Sequence, residues 1–190
     1  ISTTSFYPTK VLGAAGNGGC IFTNYDDIAE RLRKIRNHGR MDRYQHKYIG
    51  WNSRLDNLQA AYLNITLKYF KKRIKSRKEI QKKYIEGLNI KQLIAPNNYL
   101  DNGYCQVCKF EDNNHREKLV KVLEKYKIGY SVIYPVPINK QFALKGLNVR
   151  TFLNNKTNSL SKKILNLPLF PYMKNYEIEK ILDVVNSFKK

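Results

Sequence analysis

Ile28, Leu32 and Ile35 recur at helical spacing behind the acidic pair Asp26 and Asp27, which predicts a helix starting at one of the two aspartates. Just upstream, "GCIFTN" (19–24) predicts a strand, and residues 1–24 otherwise read as a loop leading into it. A further helix is expected from Ser53, because Ser53 and Asp56 stand in capping-box spacing and Leu55, Leu58, Ala61, Leu63 and Ile65 supply an apolar side. It should run, with a kink, to about Gly87. In its second half (68–84) Tyr69, Ile74, Ile80 and Tyr84 interleave with Lys and Arg, as on an amphipathic helix with a solvated basic face. Residues 37–52 have no sustained period and read as a long ordered loop, a length that in compact domains is usually functional or disordered.

A second region begins near Pro96. "GYCQVCKF" (103–110) predicts a strand, "NNHREKLVKVLEKYK" (113–127) a helix with Leu119, Val122, Leu123 and Tyr126 on one face, and "IGYSVIY" (128–134) another strand. Together they describe a β-α-β unit, a helix packed on a small sheet. "YPVPINKQF" is extended by its prolines, "ILNLPLFPYMKN" is a second proline-punctuated segment, and Ile178, Ile181, Leu182 and Val185 predict a closing helix. The domain organisation expected is 1–87 and 88–190.

Composition narrows the class. With 190 residues, 42% of them hydrophobic, the chain can bury a core. No apolar run approaches the roughly 20 residues that span a bilayer, and no signal peptide is recognisable, so a cytoplasmic location and no membrane partner are the expectation. The first residue is Ile1, which reads as the start of a fragment. A charge of +20 would suit a polyanion, but the basic residues are spread along the chain and no nucleic-acid-binding motif accompanies them, so nucleic acid is not the expected partner. Cys105 and Cys108 have C-x-x-C spacing within a strand pattern, where period-2 geometry sets them on opposite faces; core packing is expected and no metal site.

Candidate chemistry centres on "TTSFYPTKVLGAAGNGG" (3–19). Lys10 by itself is one solvated charge among 35 basic residues. Its surroundings open a second possibility: Pro8 restricts the backbone on one side, and Gly13, Gly16, Gly18 and Gly19 allow close backbone approach on the other. A lysine held in such a turn and desolvated becomes a nucleophile toward carbonyls.

"SFYPTKVLGAAGNGG", "RNHGR", "GWNSRLDNLQAA", "IYPVPINKQF" and "LNLPLFPYM" follow one another in an order that resembles the DegT/DnrJ/EryC1/StrS sugar aminotransferases, over essentially the whole chain. The resemblance implies an α/β fold of the fold-type-I (aspartate-aminotransferase-like) class, here the end of the large cofactor-binding domain followed by a small C-terminal domain. It implies pyridoxal 5'-phosphate as cofactor, with Lys10 in a Schiff base to its aldehyde and Ser5 on its phosphate. Asn52 would reach the cofactor phosphate of the neighbouring subunit of a homodimer with shared sites. Arg54, His38 and His46 would lie on the substrate side, neither histidine carrying a catalytic proton. An expected helix start just after Asn52 favours an anion there, although Asn52 or Ser53 could equally be no more than a cap.

The implied reaction passes an amino group, with glutamate the expected donor, to a keto carbon of a nucleotide-linked sugar, for cell-surface polysaccharide or other amino-sugar synthesis. Two other readings stand beside it: a basic binding protein that keeps the fold without catalysis, and a related cofactor-dependent sugar dehydratase, which Lys10 disfavours because those enzymes carry His there. Asn17 stands where an acidic residue is common in the family, and "VIYPVPINK" lacks the family's His-containing run. The family's aspartate to the pyridine nitrogen, its ring-stacking aromatic and its first phosphate-binding turn belong to an N-terminal half outside these residues. The chain alone is therefore expected to hold an incomplete, inactive site.

Overall fold

A computed structural model describes residues 1–96, 98–147 and 155–188. Residues 97, 148–154 and 189–190, which the expected second domain includes, lie outside the described residues. Packing divides the chain between Lys72 and Arg73 into two compact units, whereas the sequence reading places its boundary after residue 87. The divide falls inside a helix because the inner face of that helix supplies the core of the second unit.

In the first unit, β1 (Ser2–Ser5) pairs antiparallel with β2 (Gly19–Phe22), with Ser2 opposite Phe22 and Ser5 opposite Gly19. Residues 2–5 are thus a strand, where a loop was expected. Ser2, Thr3, Thr4 and Ser5 give no apolar alternation, and the hydrogen bonds to β2 alone make them a strand. Helix α1 (Asp26–Ile35) begins at the expected aspartate; Asp26 and Asp27 in its first turn and Arg33 and Lys34 in its last complement the helix dipole. Helix α2 (Asn57–Lys68) breaks at Tyr69 and α3 (Phe70–Gly87) follows, so the expected kinked helix to Gly87 is present.

The second unit carries the main core. β3 (Gln106–Lys109) is followed by α4 (Asn113–Lys125), two short 3-10 turns (Ile138–Lys140 and Phe142–Leu144), α5 (Asn155–Leu160), β4 (Ile164–Leu167) and α6 (Asn175–Ser187). Ile80 and Tyr84 of α3, Cys108 and Phe110, Leu119 and Leu123 of α4, Leu165 and Leu167, and Ile178, Ile181 and Val185 of α6 form one buried cluster. Asp112 caps α4 by accepting from the His115 N–H at 2.7 Å. Buried Arg77 donates to the carbonyls of Gly103 (3.1 Å) and Leu169 (2.8 Å), tying α3 to both loops.

The expected β-α-β unit is not what forms. The partner of β3 is β4, antiparallel, with Gln106 opposite Leu167 and Lys109 opposite Ile164. Residues 128–134 contribute a single bridge, in which Ser131 and Asn166 exchange N–H···O bonds of 3.1 and 2.8 Å. Lys127 and Tyr134 bracket that stretch at φ 54° and 55°, and Pro135 follows, so the ladder cannot extend. Tyr126, expected on the buried face of α4, is 45% exposed, while Val120 takes a core position. Cys108 is fully buried, as core packing requires; burial pushes its thiol up to about 12.

Candidate active site

The hairpin of β1 and β2 holds Lys10 in its connecting loop. Phe6 N–H donates to the Gly18 carbonyl at 2.8 Å, which extends the ladder one step past Ser5. The loop then folds inward: Ala14 N–H donates to the Phe6 carbonyl at 2.7 Å, and Lys10 N–H closes a turn onto the Tyr7 carbonyl at 2.8 Å. Val11 and Ala14 are buried beneath it and Lys10 is half-buried. A Cβ at Gly13 would stand 2.5 Å from the Pro8 carbonyl oxygen, so the loop can only close with glycine there. Lys10 accordingly emerges from a backbone that is hydrogen-bonded on both sides of it.

Ser5 sits at the end of β1, exposed, and its Oγ accepts from the Tyr7 N–H at 3.2 Å. That bond uses an oxygen lone pair and leaves the hydroxyl proton available to an anion. Ser5 and Lys10 are therefore presented by one hydrogen-bonded hairpin, Ser5 from the end of β1 and Lys10 from the connecting loop.

Residues 37–52 are ordered as expected, by a short ladder with the end of α1. Trp51 N–H donates to the Ile35 carbonyl, His38 N–H to the Trp51 carbonyl and Ser53 N–H to the Arg36 carbonyl, each at 2.9 Å. Asn37 and Asn52 face each other in this ladder. His38 (φ 61°) and Gly39 (φ 72°) make the left-handed turn that starts the loop, and a Cβ on Gly39 would run into the Tyr48 carbonyl. His46 Nδ1 meets the His38 carbonyl at 2.8 Å; a carbonyl only accepts, so Nδ1 carries the proton and a neutral His46 keeps its lone pair on Nε2. His38 and His46 thus meet through this loop-closing bond.

One expectation about Asn52 is overturned. Helix α2 starts at Asn57 with Asp56 in the cap position, not at Ser53, and no side-chain cap bond forms. The Ser53 amide is already committed to Arg36, so the chain stays extended past Asn52 and Arg54. Asn52 therefore gains nothing from a helix dipole, and any anion contact it makes is through its own exposed amide.

The segment that follows Asn52 packs on the lysine loop. The Cβ position of Gly18 lies 2.9 Å from Leu55 Cδ1, and that of Gly16 lies 3.0 Å from Gln59 Nε2. Gln59 was not singled out in the sequence. Its Oε1 is buried with no hydrogen-bond partner among the described residues. The available signal was weak: α2 carries a second amide, Asn57, in the same first turn, and only the contact with Gly16 distinguishes Gln59.

The sequence profile of the DegT/DnrJ/EryC1/StrS aminotransferase family matches residues 1–186. The chain belongs to that family. Over 185 residues it is 35% identical to the UDP-2-acetamido-2-deoxy-3-oxo-D-glucuronate aminotransferase of Pseudomonas aeruginosa, covering 95% of this chain and 50% of that protein. Over 171 residues it is 34% identical to the dTDP-3-amino-3,6-dideoxy-alpha-D-galactopyranose transaminase of Aneurinibacillus thermoaerophilus, covering 90% of this chain and 47% of that protein. A DegT/DnrJ/EryC1/StrS aminotransferase from Brucella abortus superposes with a TM-score of 0.88 at 33% identity, over 96% of this chain and 49% of its own. DesV of S. venezuelae, solved with a ketimine intermediate, also reaches 0.88 at 30% identity, over 97% and 50%. The mixed α/β fold is that of these aminotransferases, and the chain spans about half the length of the curated relatives it matches. Among the described residues of this family member, no helix is long and apolar enough to cross a membrane.

Proposed function

We propose that this chain is the lysine-bearing part of a cytoplasmic, pyridoxal 5'-phosphate-dependent aminotransferase, which transfers an amino group from glutamate to a keto carbon of a nucleotide-linked sugar. The observation that carries the reading is the half-buried Lys10 in its closed loop, within a chain that an aminotransferase family matches from end to end of the lysine-bearing unit. The substrate class draws support from relatives whose names specify UDP- and dTDP-linked sugars.

The residues present fit the cofactor. Lys10 offers a primary amine to an aldehyde, and Ser5 a hydroxyl with a proton to spare for a phosphate oxygen. When bound, pyridoxal phosphate supplies an electron sink for the bond that loses its proton. Lys10 Nζ would hold the cofactor and, once released by an incoming amine, carry the proton from one carbon to the other. Asn52, through its exposed amide, would add a phosphate contact in the neighbouring subunit of a homodimer. Arg54 would pair with the anionic part of the substrate, beside the loop that His38 and His46 close.

The test is amino transfer by a protein of the relatives' full length that carries this chain. Glutamate and a nucleotide-linked keto sugar should give 2-oxoglutarate and the amino sugar, and Lys10→Ala should lower the rate by at least about 100-fold. Unchanged transfer in Lys10→Ala would refute the assignment.

A further inference from the structure

The second unit holds a cleft of about 510 Å3 that shares no residue with the lysine loop, within the size range of small-molecule sites. Lys91, Lys109 and Lys163 line it from three adjoining segments. Lys109 N–H donates to the Lys91 carbonyl and Phe110 N–H to the Lys163 carbonyl, both at 2.8 Å, so backbone pairing brings the three together. Lys91 and Lys109 fall opposite each other next to the antiparallel Gln92–Cys108 bridge, an arrangement that is destabilising for like charges. Among the described residues, none of the three ammonium groups has an ion-pair partner, and Glu111 is the only carboxylate in the lining.

The floor is aromatic. The His115 ring lies edge-on to Phe110 at 5.5 Å and tilted against Phe188 at 5.3 Å. His115 Nε2 is buried without a hydrogen-bond partner among the described residues. The walls are preset: Asn186 accepts from Asn89 N–H at 2.8 Å and donates to the Gly87 carbonyl at 2.7 Å, which fixes α6 against the segment leading to Lys91.

We propose that this cleft binds a small phosphate ester with a flat, apolar body, the phosphate among the three lysines and the body against Phe110, His115 and Phe188. Three ammonium groups against one carboxylate leave an excess that matches the ~1.5 to 2 negative charges of a phosphate monoester, where a single carboxylate would leave charge uncompensated. Phosphate also presents three oxygens to point-charge donors arriving from separate segments, a task for which lysine is suited.

The test is calorimetric titration of the 190-residue chain with ADP, inorganic pyrophosphate and adenosine, together with amide hydrogen exchange. ADP should bind, with protection at residues 89–91, 109–115 and 163, and the Lys91→Ala/Lys163→Ala double variant should weaken it by about tenfold or more. Lys118→Ala, an exposed lysine of α4 outside the lining, should bind ADP as the parent does. Four results would overturn the proposal: no ADP binding at millimolar concentration, equal loss in Lys118→Ala, adenosine or pyrophosphate binding as tightly as ADP, or protection confined to residues 5–19. None of these depends on whether Lys10 holds a cofactor.

Discussion

The Pro8 carbonyl oxygen lies 2.5 Å from where a Cβ on Gly13 would stand, and this approach closes the loop around Lys10. Backbone cannot retreat from such a contact as a flexible side chain could. Gly13→Ala should therefore open the loop at a cost of about 1–3 kcal/mol, releasing the Lys10 and Ala14 amides to exchange with solvent. Hydrogen exchange mass spectrometry checks this; unchanged protection in residues 6–18 would show that the loop tolerates a side chain there.

Gly39 makes a second prediction in the same unit. Its φ of 72° and its contact with the Tyr48 carbonyl leave no room for a side chain, so Gly39→Ala should cost about 1–3 kcal/mol locally. The amides of His38, Trp51 and Ser53, which hold the ladder between α1 and the Asn52 segment, should exchange faster by the corresponding factor, while α4 and α6 keep their protection.

Burial at Cys108 sets a pH dependence. The thiol, ordinarily near 9.0, is pushed up to about 12 in the folded chain, so between those values the unfolded state releases a proton that the folded state keeps. The stability contribution is complete below pH 9 and declines as pH rises toward about 12, at ~1.4 kcal/mol per pH unit for one proton. Tyr84, fully buried with its hydroxyl donating to the Pro168 carbonyl at 2.9 Å, is shifted the same way by burial and adds to the decline. Urea denaturation at a series of pH values should show a shallower fall in Cys108→Ala than in the parent chain, on top of a cost of about 1 kcal/mol at neutral pH for the lost packing.

The helices were legible where the period was clean. Ile28, Leu32 and Ile35 located α1, and Ile178, Ile181 and Val185 located α6, because each set needs only one buried or half-buried stripe. The sheets were less legible. Ser2–Ser5 carries no apolar alternation and owes its strand to pairing with β2, while Ile164–Leu167 is buried along most of its length, Asn166 included, and so shows no alternation of buried and exposed positions. The start of α2 was misplaced because Ser53 has the right side chain for a cap, and only the long-range bond from its amide to Arg36 shows that it is occupied otherwise. At the candidate site, Lys10 and Ser5 were singled out from the motifs around them. Gln59 was not, since its proximity to Gly16 is a tertiary contact between residues far apart in sequence.

The proposed sharing of sites between the subunits of a homodimer leads to a complementation experiment. In a protein of the relatives' full length carrying this chain, Lys10→Ala and Asn52→Ala subunits should each be inactive or strongly impaired alone. After subunit exchange, about half of the parent activity per mixed dimer is expected, one intact site in two, and about a quarter over a randomly exchanged population, if Asn52 serves the neighbouring subunit's cofactor. No recovery after exchange confirmed by native mass spectrometry would place Asn52 in its own subunit's site or outside it.

Lys10 as the cofactor's attachment point is tested most directly by covalent labelling. The full-length protein carrying this chain is incubated with pyridoxal phosphate, reduced with borohydride and mapped by peptide mass spectrometry. The pyridoxyl mass should appear predominantly on the peptide containing Lys10, and Lys10→Ala should lose both the label and the visible absorbance while keeping its fold, because the change removes a reacting amine and not core packing. Label distributed over many exposed lysines, or concentrated on another lysine with Lys10→Ala still labelled, would contradict the assignment.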